Sequence, residues 1–558
     1  MKFDQVLEHL GEFGRYQKII FFMVCLSAIP CTFHSMGNTF LSASPDHQCL
    51  YYTGQLYTAY DDQARCLYPA DDKSYWSECK KYANLSITRP ADYACTDEDV
   101  ANYSVSGCDN GWIYDTKFYD STVVTEWDLV CDKNSMKQLS KSIVLAGKLV
   151  GSLIFGQLSD ISGRRIAFLI SVVLSVVGSV ATIFSPTFWC YCLMQFIVGV
   201  TASGMFIIAL VMGTELVGAS WRSFTGIAIQ YFNSIGNMLL PVIAYGLRDW
   251  RKIEIVFCVT CFVFFSYYWL LPESARWLLT RGRVEEAKKI IQKAAVVNKV
   301  TLPPNLFQKL LEKKDDVMTK EKVVTKYSII DLVRTPVLRK RSCNLLFSWF
   351  TNAMLYYGLS FQTESLGSSP YLSFFLAGLV EMPSYILAQL LLDRIGRKPI
   401  LCGYMVFGGV VLLATIVIPE EGYETILLIL VLTGKSCASG SYAVVYLYTA
   451  ELYPTPIRNV AVGACSMISR IGAILAPYIL LFGEVTSTAV SMTFFGIMSF
   501  IAGLLVVLLP ETANTKLPET IKDAEHFTSP RNNIGGDSLG KTNTKPNEHG
   551  SREETSKL

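Results

Sequence analysis

Four ionisable side chains of this 558-residue chain, Lys148, Glu381, Lys435 and Arg470, lie inside stretches that otherwise hold almost nothing but apolar residues. Each is about ten residues into an apolar run of roughly 20, so at 1.5 Å per residue it is expected roughly 15 Å deep in a hydrocarbon layer, near the midplane. A charge facing lipid there costs roughly 2.5 kcal/mol or more, so each should face a wet cavity or a partner. The plainest arrangement is salt bridging between helices, with Glu381 neutralised by one cation. Two cations are then left over, a formal surplus of +2. A cavity so charged prefers an anion, or a zwitterion that carries a carboxylate. This is the chemistry of recognition, in which no bond is broken.

Aromatic residues fall at similar depths: Tyr231, Tyr356 and Tyr357 after Trp349, Tyr385, and the pair Tyr442 and Tyr446. The last two are four apart and share a helix face with Ala438 one turn earlier. Aromatic faces would hold a flat or partly apolar organic body, or a quaternary ammonium by cation–π attraction. Core packing with a hydroxyl hydrogen bond explains any one of them equally well.

Composition sets the elements that must position these residues. With 51% hydrophobic and 17% charged residues and a mean hydropathy of +0.33, the chain is too apolar for an ordinary soluble protein, and its apolar residues come in blocks. Spans are expected at about 16–38, 138–158, 166–185, 187–210, 224–247 and 253–271, then at 342–362, 370–392, 398–418, 425–449, 460–482 and 489–509. That is an all-α polytopic membrane protein. It divides into an N-terminal half (1–271) with a loop at 42–137, a linker (272–341), a C-terminal half (342–509) and a tail (510–558).

The halves repeat each other. GQLSDISGRR and LLLDRIGRK each place an Asp four residues before an Arg across a Gly (Asp160 and Arg164; Asp393 and Arg397). GTELVGASWR and TAELYPTPIR each hold a Glu seven before an Arg (Glu215 and Arg222; Glu451 and Arg458), and Pro272-Glu273-Ser274 answers Pro510-Glu511-Thr512. Offsets of 233, 236 and 238 residues mark two copies of one plan.

Basic residues crowd the linker and the short turns (Arg164, Arg165, Arg222, Arg397, Lys398, Arg458), which places that face, and both termini, in the cytoplasm with no cleavable signal peptide. The 42–137 loop is acidic. It holds Cys49, Cys66, Cys79, Cys95, Cys108 and Cys131 and two glycosylation sequons at Asn84 and Asn102, an oxidised extracellular loop with fifteen open pairings. The other ten cysteines lie in or beside spans, and the Cys258/Cys261 pair reads as packing. No metal-ligand array, nucleotide loop or catalytic constellation is found, so an enzyme, a cofactor or a nucleic-acid partner is not expected. EEAKKIIQKAA after Arg283 reads as an amphipathic surface helix, and the tail from about Lys516 as polar and disordered. Its end, Ser556-Lys557-Leu558, fits the pattern read by PDZ scaffolds and also a peroxisomal address; an oxidised loop favours the scaffold.

GQLSDISGRR, LPESARWLLTRGR, TAELYPTPIRN and VLLPETANTKLPET, with the long cysteine-bearing loop, closely resemble the organic anion, cation and carnitine transporter family of the major facilitator superfamily over about residues 1–520. General facilitator and sugar transporters share the turns but lack this loop. PESARWLLTRGRVEEAKKIIQKAAVVNK, WFTNAMLYYGLS and SRIGAILAPYILLFGE look most like the urate and nicotinate type. The resemblance implies two six-helix bundles that hold substrate between them and rock to give alternating access. It makes the Asp-to-Arg turns, with Glu215, Arg222, Glu451 and Arg458, gates rather than binding sites. The family's anion-selecting Arg matches Arg470, where cation-selecting members carry Asp, and its aromatic positions match Tyr356, Tyr357, Tyr442 and Tyr446. Two positions depart: Tyr385 stands where typical anion transporters carry Lys or Arg and carnitine-type members carry Tyr, and Lys148 is a candidate replacement for that missing cation. The implied function is secondary transport, by exchange, of small organic anions, such as aromatic monocarboxylates, urate, nicotinate or dicarboxylates, across the plasma membrane. The alternatives are a carnitine or betaine carrier, with Arg470 on the carboxylate and Glu381 and Tyr385 toward the ammonium, and a non-transporting receptor or scaffold.

Overall fold

The computed structural model describes residues 3–51, 67–69, 77–83, 104–303, 328–367, 369–419, 422–454, 456–513, 515, 518 and 521–525. Eleven of its helices are long and apolar enough to cross a membrane: Arg15–Leu41, Cys131–Ser162, Arg164–Ile183, Phe188–Leu216, Phe224–Leu247, Trp250–Leu270, Pro370–Ile395, Arg397–Val417, Glu424–Leu452, Arg458–Val485 and Thr488–Val506. The seventh in chain order, Pro336–Gln362, makes the twelfth span. It falls short on hydropathy because Asn344, Ser348, Thr351, Asn352 and Ser360 interrupt it, and all five are buried against protein rather than lipid. Several spans overrun their expected ends, the second most of all, because helix continues into polar residues beyond the apolar run.

Local chemistry sets where these helices start and bend. The Asp249 carboxylate accepts from the Arg251 backbone N–H (2.9 Å) to start the sixth span, and Thr335 followed by Pro336 starts the seventh. Pro241 and Pro477 lie inside the fifth and eleventh spans, separated by the same 236 residues as Glu215 and Glu451. The eighth span is two segments, Pro370–Leu379 and Glu381–Ile395. Pro383 explains the break, since it has no N–H for the carbonyl of Leu379; at the break the Ser436 hydroxyl donates to the Val380 carbonyl (3.2 Å).

Packing divides unevenly between the two faces of the bundle. Near the face that carries the 42–137 loop, one apolar cluster draws on both halves, with Phe40, Leu145, Leu240 and Trp250 beside Tyr356, Phe374 and Leu480. At the opposite face each half keeps its own cluster, one around Phe21, Phe168 and Met212, the other around Trp349, Leu401 and Tyr448, which among the described residues of the first half only Ile227 and Tyr231 join. The halves are therefore sealed at the loop face and separate at the turn face. Ion pairs between halves reinforce the seal: Lys141 with Glu364 (2.8 Å) and Lys137 with Glu484 (3.3 Å).

In the loop, His47–Cys49 pairs antiparallel with Trp112–Tyr114 and Lys80–Tyr82 with Val105–Gly107. Of the fifteen pairings left open, Cys49–Cys108 and Cys79–Cys131 form, with Cα atoms 4.9 and 5.7 Å apart. Cys66, Cys95, both sequons (Asn84, Asn102) and Ser556–Leu558 lie outside the described residues. His47 lies against the second disulfide, and burial pushes its imidazole down to about 4. Both neighbouring sulfurs are in the disulfide, so this is no metal site. On the turn face the linker helix Val284–Asn298 buries Ala287, Ile291 and Ala294. Its Asn298 side chain accepts from the Tyr16 backbone N–H (2.8 Å) and donates to the Leu10 carbonyl (2.9 Å). The tail, expected to be unstructured from about Lys516, forms one short helix, Ile521–Glu525, because Ala524 is buried there and its carbonyl accepts from Arg341.

Candidate functional site

A cavity of about 60 Å³ lies between the halves at mid-depth, walled by Ser35 of the first span, Lys148 of the second, Tyr356 and Tyr357 of the seventh, Tyr385, Tyr442 and Tyr446, and Arg470 of the eleventh. Lys148 and Arg470 are the only charged residues on that wall among the described residues. The Lys148 ammonium donates to the Ser35 hydroxyl (2.7 Å) and the Tyr357 hydroxyl (3.1 Å). Arg470 is 7% exposed, yet its one described hydrogen bond is a long one to the Tyr442 hydroxyl (3.4 Å), and its buried Nε has no partner. A guanidinium has five N–H donors, so most of this one's capacity is unspent. Rings surround it: Tyr442 stacks on Tyr356 at 6.1 Å and meets Tyr446 edge-on at 5.5 Å.

Three residues expected at the cavity are placed elsewhere. Glu381 is fully buried in an ion pair with Lys435 (3.0 Å), whose ammonium stands 4.1 Å from the Tyr356 ring centroid and also bonds Ser360. Neither lines the cavity. The Glu381 carboxylate instead accepts from Ser234 (2.8 Å) and Asn237 (3.3 Å) of the fifth span, which ties the broken eighth helix to the other half. Tyr231 also leaves the wall and donates to Gln389 (3.1 Å), with its ring edge-on to Tyr385. The physical reason is the break at Pro383: it brings Glu381 toward the fifth span and within reach of Lys435. Pairing these two cancels their charges and leaves the cavity with Lys148 and Arg470.

The charged turns form two matching clusters. In the first half Arg164 pairs with Asp160 (2.9 Å) and Glu215 (2.9 Å), and its backbone N–H donates to the Glu273 carboxylate (2.8 Å). In the second, Arg397 pairs with Asp393 (3.5 Å) and Glu451 (3.1 Å), and its N–H donates to Glu511 (3.0 Å). Ser274 and Thr512 donate to Glu215 (2.5 Å) and Glu451 (2.6 Å) in turn. A carboxylate at each helix N-terminus also meets the positive end of the helix dipole. Gly163 and Gly396 are required by this arrangement. Both have positive φ (102° and 106°), and a Cβ would stand 2.5 Å from Glu273 Oε2 or 2.8 Å from Glu511 Oε2. Among the described residues, no pair in these clusters joins one half to the other; each ties its half to the segment that follows it, Glu273 and Ser274 of the linker or Glu511 and Thr512 of the tail. Of the two remaining gate candidates, Arg222 pairs with Asp4 (2.5 Å), and Arg458 donates to the Tyr453 carbonyl (3.4 Å).

Sequence reasoning missed the fifth-span amides and the loop-face pairs. Asn233 and Asn237 donate to the Tyr356 hydroxyl (3.3 and 3.2 Å), and Lys137, Lys141, Glu364 and Glu484 line a cavity of about 410 Å³ at the seal. Polar residues recurring every third or fourth position through the first and fifth spans (Thr32, Ser35, Asn38; Gln230, Asn233, Asn237) were the available signal.

Residues 82–523 match the family model described as "Sugar (and other) transporter". The chain is similar to the organic cation transporter protein of Drosophila melanogaster (40% identical; 94% of this chain, 95% of that protein). It also resembles two mouse proteins, solute carrier family 22 member 21 (34%; 94% and 93%) and organic cation/carnitine transporter 2 (34%; 93% and 93%). Among solved structures, the partially occluded inward-open xylose transporter XylE from E. coli superposes with a TM-score of 0.59 at 15% identity, over 90% of this chain and 100% of that one.

Proposed function

This chain belongs to solute carrier family 22, the organic-ion and carnitine transporters of the major facilitator superfamily, and from that premise we propose that it carries small organic anions by alternating access. It is a multi-pass membrane transporter and not an enzyme. One observation carries the anion reading: the cavity wall presents two cations, one an Arg with most of its donors unspent, while the mid-depth carboxylate is sealed in an ion pair. A carboxylate placed between Arg470 and Lys148 would meet both charges, with its organic body against the tyrosines. Aromatic monocarboxylates and urate- or nicotinate-like anions fit that chemistry. The relatives named above do not single out that branch, since two of them are named for organic cations and carnitine.

A zwitterion such as carnitine is the second reading, favoured by the stacked Tyr356 and Tyr442 and by the Tyr at position 385. Its ammonium would meet ring faces rather than Glu381. Uptake of labelled nicotinate, urate and carnitine into expressing cells separates the two. No uptake of any of them above control cells, with surface delivery demonstrated, would leave the receptor or scaffold reading in place.

The loop face is proposed to be extracellular and both termini cytoplasmic, at the plasma membrane; the disulfides on one face and the basic turns on the other support this. In this arrangement the turn clusters keep each half rigid, and the Lys137–Glu484 and Lys141–Glu364 pairs are the contacts that open. Glycans at Asn84 and Asn102 are expected to shift gel mobility when removed enzymatically; unchanged mobility of surface protein would refute them. Deleting Ser556–Leu558 should abolish PDZ-domain pull-down, and equal capture by the truncated chain would dispose of that partner.

A further inference from the structure

One buried acid belongs to neither the cavity nor the turns. Glu254, in the sixth span, is 0% exposed, and the one donor beside its carboxylate among the described residues is the Ser179 hydroxyl. The groups around it come from its own helix and four other spans. From the third span comes Ser179, and from the fourth comes Tyr191, with Cys192 and Gln195 beside it. The first span faces the sixth with Asn38, which accepts from Tyr191 (2.6 Å), and with His34, 3.2 Å from Cys261. On its own helix lie Cys258 and Cys261, and the fifth span contributes apolar Leu240 and Ala244. The nearest cations along the chain are both paired elsewhere, Lys252 with Asp249 (3.6 Å) and Arg251 with Glu126 of the loop. A carboxylate with no cation and a single neutral donor is strongly disfavoured inside a membrane, so the resting group is the neutral acid.

A polar track leads from it toward the cavity. Ser179 and Ser175 lie one turn apart on the third span, Ser175 is 3.5 Å from His34 Nε2, and His34 Nδ1 is itself buried and unpartnered. Next to His34 in sequence is Ser35, whose hydroxyl accepts from Lys148 in the cavity wall.

We propose that Glu254 is a proton-binding site, which takes up one proton from the loop side and gives it up on the turn side in each transport cycle, and so couples substrate movement to a pH gradient. The proposal rests on the transport reading above. A proton carried with a monoanion makes the net movement electroneutral. Ser179 is placed to donate to the carboxylate left when the proton departs, which gives the ionised form a place in the cycle.

The test uses the full chain in proteoliposomes, with labelled nicotinate and carnitine as probes. Acidifying the loop side from about pH 7.5 to about pH 5.5 should raise net uptake several-fold in the wild type. Glu254→Gln should lose that response while substrate-for-substrate exchange at equal pH on both sides continues. A variant that keeps the full pH response overturns the proposal, and so does a wild type whose net uptake ignores the gradient. Should Glu254→Gln fail to fold, Glu254→Asp keeps an acid in a shifted position: a moved pH midpoint supports the site and an unmoved one refutes it. Failure of the transport reading would show as no uptake of either probe by the wild type. Proton binding is then read in purified protein by the infrared band of a protonated carboxyl. A band that Glu254→Gln removes supports the site, and wild type and variant with identical spectra overturn it.

Discussion

Replacing Arg470 by Lys keeps the charge of the cavity and changes only its geometry. The planar guanidinium can give a carboxylate two parallel charge-assisted hydrogen bonds, each contributing about 1.5–3 kcal/mol. A shorter, single-point ammonium keeps one at most, and loses the Tyr442 contact that fixes the head of the side chain at 3.4 Å. The expected loss is therefore about 1.5–3 kcal/mol, a rise of roughly 10- to 150-fold in the KM for an anionic substrate. Arg470→Asp goes further, since with Lys148 remaining it takes the formal charge of the wall to zero; anion uptake should then fall to background. Initial rates of labelled anion uptake, with surface protein matched by biotinylation, measure both. Wild-type KM values in Arg470→Lys and Arg470→Ala would refute the assignment, because an Arg that does not touch substrate has no reason to be needed as Arg.

Three further outcomes are expected. Glu381→Gln leaves the fully buried Lys435 without its counter-charge; such an unpaired ion costs about 3–5 kcal/mol, so surface level should drop, and Lys435→Met added to it should restore most of the loss in a thermal-shift assay. In Gly163→Ala the positive φ and the Glu273 carboxylate 2.5 Å from the new Cβ combine; a destabilisation of about 1–3 kcal/mol is expected by thermal shift, with substrate KM unchanged in the protein that survives. For His47, burial lowers the folded imidazole to about 4, below its unfolded value of 6.5. The unfolded loop thus binds more protons between those values, and the contribution is whole above about pH 6.5 and lost as pH falls toward 4, up to ~3 kcal/mol. Proteolysis of the loop should accelerate across that window in the wild type, and a His47→Gln variant with the same pH profile would refute the attribution.

The spans and the two-fold repeat were legible in the chain because both rest on local rules: apolar runs long enough to cross a membrane, and motifs repeated at constant offsets. The match of Arg164 with Glu215 and of Arg397 with Glu451 depends on a cluster whose parts, Gly, Asp, Arg and the Pro-Glu pair, are all visible in sequence. That Glu273 and Glu511 close those clusters by accepting backbone N–H groups was not visible, since the backbone bears no sequence mark of its partner. Counting mid-depth charges gave a surplus of two cations, and chain order alone could not say which two. That choice was made by the break at Pro383, which puts Glu381 beside Lys435 and Asn237 and leaves Arg470 and Lys148 to the cavity. Glu254 was passed over because it lies only four residues from the start of its helix, where a charge in sequence reads as interfacial; the packing of the third and fourth spans over it is what removes it from water. Depth and charge are properties of one helix and can be counted along it. Which charges meet is a property of helix pairs, set by rotation, breaks and crossing, and only the assembled bundle decides it.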